Sequence, residues 1–175
     1  MDLSELDLIE NKVANSGLIT IDLETFRHPG KRVLFDIKDW LFREMILKEK
    51  DFRDFVKNHD WSQYQNQNIA FYCSSDAIIP TWAYMLLASA VQPYANKYVF
   101  GNLDQLEIEL YSAAMSQINI ADYADKRIIL KGCSQNELPV AAYMEMCNKL
   151  LPVVKSLMYG EACSNVPIYK KINKI

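Results

Sequence analysis

Three of the four cysteines stand in one local context: Tyr72-Cys73-Ser74, Gly132-Cys133-Ser134 and Ala162-Cys163-Ser164. Each follows an apolar run of strand character. In an open parallel sheet the residues just past the carboxyl ends of the strands lie along one edge, so thiols distant in sequence become neighbours there. Adjacent strands are about 4.8 Å apart, and a tetrahedral zinc site with bonds of about 2.3 Å needs sulfurs within roughly 4 Å of one another, a gap that small loop adjustments close. Cys73 and Cys133 also precede expected helices, whose positive ends favour thiolate, the form that binds metal or attacks an electrophile. Three thiolates suit zinc, iron or an iron-sulfur cluster rather than magnesium or calcium.

The competing reading is packing, since cysteine is often buried at strand ends and no CxxC pair marks a local site. His59 could complete a coordination shell or act as a base, and a position at a helix terminus equally accounts for it. Asp76 could be a fourth ligand or a helix cap. Cys147 falls on the helical stripe Val140, Tyr143, Cys147, Leu150 and Val154 and reads as core. A cysteine enzyme with Cys73 as nucleophile and His59 as base is a weaker third reading, because nothing in the sequence brings the two together.

The elements that must position these residues follow from periodicity. Leu3 to Asn15 has helical spacing and is stopped by Ser16-Gly17. Two alternating runs, Ile19-Ile21-Leu23 and Val33-Phe35-Ile37, read as a hairpin turning at His28-Pro29-Gly30. Asp39 can cap a helix starting at Trp40 and running to His59, with a break near Lys48-Glu49-Lys50-Asp51. From Asn68 the pattern becomes strand, helix, strand, helix: strands at 68–73, 98–101, 127–131 and 156–159, and helices at 80–95, 103–118 and 139–155. Taken in the flavodoxin-like order 2-1-3-4, the three cysteine-bearing strands are contiguous and the Tyr98 strand is at the edge. Residues 166–175 read as an extended arm, because Pro167 excludes a central strand.

The expected fold is therefore α/β: an open, mainly parallel sheet with helices on both faces and an N-terminal β-hairpin. At 175 residues, 50% hydrophobic and 23% charged, the chain is long enough for one well-packed domain, with residues 1–60 leading into a 61–165 core. A net charge of −3 gives no basic surplus for nucleic acid. No apolar run reaches the roughly 20 residues of a membrane span, the N-terminus lacks the basic region of a signal peptide, and the expected location is the cytoplasm. GxGxxG, Walker, HExxH and GxSxG motifs are missing, and no internal repeat is evident beyond the recurring Cys-Ser pairs.

Three long blocks carry a resemblance: Val33-Leu34-Phe35-Asp36-Ile37-Lys38-Asp39-Trp40-Leu41, Cys73 to Met85, and Met158 to Lys170. They resemble the bacterial family designated domain of unknown function 2480, over nearly the whole chain. The Lys131-Gly132-Cys133 block fits that pattern too, and the surroundings of Cys147 do not. The family has no established activity. Its members tend to be encoded near sulfur-mobilising iron-sulfur cluster assembly components, so the resemblance implies that pathway, with assembly proteins as partners. The leading functional expectation is a metal-binding accessory protein with Cys73, Cys133 and Cys163 holding zinc, iron or an iron-sulfur cluster. The alternative is a metal-free interaction or scaffold protein whose cysteines pack.

Overall fold

Ile69-Ala70-Phe71 and Ile128-Ile129-Leu130 are unbroken apolar runs with no polar side to turn to water, a pattern that demands burial on both faces of a sheet. All six are buried in the computed structural model, which describes residues 17–132 and 138–172. The expected N-terminal helix over Leu3 to Asn15, and Cys133 itself, lie outside the described residues. In chain order the elements are β1 (Leu18–Asp22), β2 (Arg32–Asp36), α1 (Glu49–Asn58), β3 (Asn68–Tyr72), α2 (Thr81–Val91), β4 (Lys97–Phe100), α3 (Leu103–Met115), β5 (Arg127–Lys131), α4 (Val140–Leu150), β6 (Ser156–Glu161) and β7 (Ser164–Lys170).

The α/β class is as expected, and every ladder is parallel except β6 with β7. The strand order differs. Instead of one sheet ordered 2-1-3-4 there are two, β1-β5-β6-β7 and β2-β3-β4. The reason lies with the two early strands: β1 runs parallel to β5 and β2 parallel to β3. β2 thus occupies the side of β3 that β5 was expected to take. Two neighbour relations of the expected order survive, β4 outside β3 and β5 beside β6.

The chain divides into two compact units, an inner one of Arg27–Ser116 and a flanking one made of the residues before and after it. In the inner unit, alternate residues of β3 serve opposite faces. Ile69 and Phe71 pack with Phe52 and Val56 of α1 and Ala83, Leu87 and Val91 of α2, while Ala70 packs with Leu106 and Leu110 of α3. α1 begins only at Glu49, not at Trp40, because Arg43 and Glu44 both adopt positive φ (52° and 58°) in the preceding loop. In the flanking unit, α4 buries Ala142, Met146 and Leu150. Pro167 sits opposite Met158 on edge strand β7, beside a register shift, as its missing N–H requires.

The two units share a plan, and the sequence carries it at a constant offset, so the structure corrects the expectation that no repeat is present. A 3-10 turn at Trp61–Tyr64, then β3, α2 and β4, has as counterparts a 3-10 turn at Ile120–Tyr123, then β5, α4 and β6. Asp60 caps the first turn through Ser62 N (3.0 Å) and Asn119 the second through Ala121 N (3.3 Å). Asn66 and Asp125 both take the left-handed conformation that their short polar side chains tolerate, at φ 59° and 54°. The early strands complete the match. Asp22 ends β1 and Asp36 ends β2, and each accepts the backbone N–H two residues on, from Glu24 and Lys38, at 3.0 Å. Past the shared plan the units diverge, α3 following β4 and β7 following β6.

Candidate functional site

Two of the three candidate cysteines, Cys73 and Cys163, lie just past the carboxyl ends of strands, as read from sequence. Cys73 follows β3 directly; its Sγ lies 3.2 Å from Ser75 Oγ and 3.6 Å from Ser75 O. Cys163 is exposed in the two-residue turn between β6 and β7. Cys133 follows β5 in sequence but lies outside the described residues. Cys73 belongs to the inner unit and Cys163 to the flanking one. Among the described residues no three of His, Cys, Asp and Glu gather in a metal-holding group. The helix-dipole argument for Cys73 does not apply: the stretch from Ser74 to Pro80 separates it from α2, and the dipole acts over the first turn.

Beside Cys73 is a carboxylate the sequence reading missed. Asp36 Oδ1 accepts from Lys38 N (3.0 Å) and Ser74 N (3.1 Å), joining the ends of β2 and β3. Burial pushes its carboxyl up, but hydrogen bonds from the Ser74 hydroxyl, the Lys38 and Ser74 amides and Tyr72 outweigh it and hold the pKa below the usual value. Burial and the Asp36 charge raise Tyr72 in turn. The equivalent aspartate, Asp22, makes the same local turn in the flanking unit. The one sequence signal was the pair Ile21-Asp22-Leu23 and Phe35-Asp36-Ile37, an aspartate between two apolar residues at the end of each early strand. In the flanking unit Lys131 Nζ and Glu161 Oε1, 3.0 Å apart, bridge the ends of β5 and β6.

The two auxiliary candidates have other occupations. His59 ends α1 inside an aromatic cluster, stacked on Tyr64 and edge-on to Phe35, Trp40 and Trp61. Its Nε2 meets Tyr64 Oη at 3.0 Å. Burial depresses its pKa, against the opposing pull of Asp60. Asp76 is exposed in the loop before α2, and α2 is capped at Pro80 with no side-chain hydrogen bond, so the expected capping role is not realised.

Two apolar grooves were not foreseen. In the flanking unit a groove of about 400 Å³ runs between α4 and the sheet, lined by Leu130, Val140, Tyr143, Met144, Cys147, Leu157, Met158 and Tyr159, with Ile168 of β7 as an added wall. In the inner unit a groove of about 280 Å³ is lined by Phe71, Thr81, Tyr84, Met85, Ala88, Tyr98, Val99 and Phe100. The two sets correspond residue for residue under the repeat, Phe71 with Leu130 through Phe100 with Tyr159. Even the ring contacts repeat, Tyr84 on Phe100 at 4.9 Å and Tyr143 on Tyr159 at 5.7 Å, both edge-on. Cys147 therefore faces a groove as well as the core; it is part-buried, and burial raises its thiol pKa. The available signal was Pro80…Ala83-Tyr84-Met85 against Pro139…Ala142-Tyr143-Met144.

No helix among the described residues is long and apolar enough to cross a membrane. No curated protein and no solved structure matches the chain. A family model described as protein of unknown function (DUF2480) matches residues 7–171, nearly the whole chain, which therefore belongs to that family.

Proposed function

We propose that the chain is an interaction protein, an adaptor built by duplication of one α/β unit, with the two apolar grooves as its contact surfaces. The observation that carries this reading is the residue-for-residue repetition of the groove. A buried core repeats because packing demands it, but these positions are at the surface: Met85 is 67% exposed, Met144 61% and Phe100 68%. Unbranched, polarizable methionine at an exposed apolar groove adapts to partner side chains, and a contiguous exposed apolar surface marks an interaction site. The described thiols, Cys73, Cys147 and Cys163, fit as partly buried or loop residues rather than as a reaction centre. No hydrogen bond or ion pair among the described residues joins His59 to Cys73.

The test is a photo-crosslinking side chain placed in cells at Met144, and separately at Lys57 on α1 as a control. A discrete adduct at Met144 that is absent at Lys57, and that is lost with Tyr143→Asp introduced beside the probe, is the expected result. The same adducts at both positions, or none at Met144, would sink the reading.

A second reading is kept for one observation. β5 and β6, which lead to Cys133 and Cys163, are adjacent and parallel with their ends joined by Lys131–Glu161. That juxtaposition supports a thiolate site for zinc, iron or an iron-sulfur cluster in an accessory protein of cluster assembly. Elemental analysis of protein purified without oxygen or affinity-tag metals decides it. On this reading Cys133→Ser and Cys163→Ser each lower metal content by about tenfold or more, serine being a poor ligand for soft metals, and Cys147→Ser does not. Equal losses from Cys147→Ser would mean that the changes act through folding.

A further inference from the structure

The repeat indicates what one groove lacks. In the flanking unit, β7 lies antiparallel on β6, pairing Leu157 with Tyr169 and Tyr159 with Val166, and Ile168 closes the side of the groove. The inner unit has no such strand. β4, the counterpart of β6, pairs only with β3 among the described residues and is the end of its sheet. Gly101 N bonds to Phe71 O across that ladder, so strand alternation turns the N–H and C=O of Tyr98 and Phe100 outward from the sheet.

Open edges are a liability that proteins blunt with proline and lysine. β7 is blunted in this way, by Pro167, Lys170 and the adjoining Lys171. β4 carries one lysine and no proline, and Phe100 projects beside it.

We infer that β4 is a strand-addition site: an extended segment of a partner protein lies antiparallel on β4, as β7 lies on β6, with an apolar side chain against Met85, Tyr84 and Phe100 where Ile168 lies in the other unit. The charges specify its far end. In the flanking unit Asp125 holds Lys171 at 2.9 Å, and Ser156 opens the strand. The inner unit has Asn66 in place of Asp125 and Lys97 in place of Ser156, with Glu109 3.5 Å from the lysine. A basic residue there loses its partner and meets Lys97, whereas an acidic residue pairs with it. The occupant is thus an extended apolar segment ending in an acidic residue, bound by main-chain hydrogen bonds with the groove as its side-chain pocket.

This rests on the interaction reading and refines it, and its test is independent of the Met144 crosslink. A synthetic peptide copying Ser164–Ile172, with Lys170→Glu and Lys171→Gln, is titrated into the full chain while amide exchange is followed by NMR. Binding with a Kd on the order of 100 µM and about tenfold slower exchange at Tyr98 are expected. Ile168→Asp in the peptide should weaken binding about tenfold or more, and Tyr98→Pro in the protein should abolish it, since proline removes an outward donor without touching the β3 ladder. The peptide-side change keeps the test valid if the protein variant misfolds. No binding at about 1 mM, a value still within reach of weak strand addition, would overturn the inference. So would binding that leaves Tyr98 exchange unchanged, or a dimer in which the Tyr98 amide is already protected. If any of these occurs while the Met144 adduct stands, only the strand-addition geometry falls.

Discussion

Phe35→Ala is expected to lower the unfolding free energy by about 3–5 kcal/mol, near the upper end for a single core substitution. Phe35 is the hub of the inner unit's aromatic cluster. Its ring centroid lies 5.0 Å from Trp40, 5.3 Å from Phe71, 5.5 Å from His59, 5.7 Å from Trp61 and 6.1 Å from Tyr64. Deletion removes the transfer energy of the ring, leaves a cavity lined by rigid neighbours that close poorly, and forfeits several edge-to-face contacts worth about 0.5–1.5 kcal/mol each. Urea unfolding measures the cost, and a loss under about 1 kcal/mol would show that the cluster repacks. His59 supplies a second readout. Burial holds its folded-state pKa below the unfolded value near 6.5, so the folded state binds fewer protons and stability declines as pH falls from about 6.5 through the folded pKa. With Phe35 gone, water reaches the imidazole, its pKa rises toward the ordinary value, and that decline flattens. An NMR titration of His59 in both proteins checks the sign.

How far this architecture is legible in the sequence depends on the distance over which each feature is decided. Strand and helix periods are local, and the elements after Asn68 follow them closely; β5 is as read, and α2 and α4 lose only their last turns to Pro93 and Pro152. Pairing is not local. Ile19-Ile21 and Val33-Phe35 alternate as strands must, but alternation names a face and not a neighbour. A tight hairpin needs a short primed turn, and the connection here includes a 3-10 turn at Leu23–Phe26 before His28-Pro29-Gly30. That excess length was the available hint that β1 and β2 go to different sheets. The break before α1 was partly legible, in the Lys48-Glu49-Lys50-Asp51 cluster, but the left-handed pair Arg43-Glu44 that causes it has no glycine or asparagine to announce it.

The repeat was concealed by divergence outside the groove. On the helices, Leu86 and Ala90 correspond to Glu145 and Lys149 in the alignment, and on the strands Tyr72 corresponds to Lys131, so composition differs at positions outside the groove. What is retained is the proline that opens each helix, the Ala-Tyr-Met that follows it, the proline that ends it and the glycine after the next strand. The candidate site divides the same way. Placement of the thiols past strand ends was a local inference and holds for Cys73 and Cys163, whereas the role of Asp36 depends on backbone donors from Ser74 across a ladder and had no local signature beyond its aspartate.

The retained glycines predict an asymmetry. Gly101 and Gly160 both sit at positive φ, 133° and 117°, in a region where a side chain costs about 1–3 kcal/mol. At Gly101 an added Cβ meets Gln105 Cβ and Cγ, at 3.0 and 3.1 Å, contacts that a shift of a few tenths of an ångström relieves. At Gly160 it meets the backbone oxygen of Ser164 at 2.7 Å, and Ser164 is the β7 residue paired with Glu161 at the hairpin end. That contact cannot be relieved by rotamer change; β7 must move. Gly101→Val should therefore cost about 1–3 kcal/mol and Gly160→Val about 3–5, the difference being disruption of the β6–β7 ladder. Amide exchange is the direct measure: in Gly160→Val the outward amide of Leu157, which faces β7, should lose protection and the β5 amides should keep theirs. A displaced β7 also removes Ile168 from the groove and leaves β6 an open edge like β4. A peptide of the native Ser164–Lys170 sequence should then bind in trans to Gly160→Val and not to the wild type. Equal costs for the two valines, with Leu157 still protected, would mean that the Ser164 contact is absorbed without moving β7, and that β7 is not the detachable wall the repeat makes it.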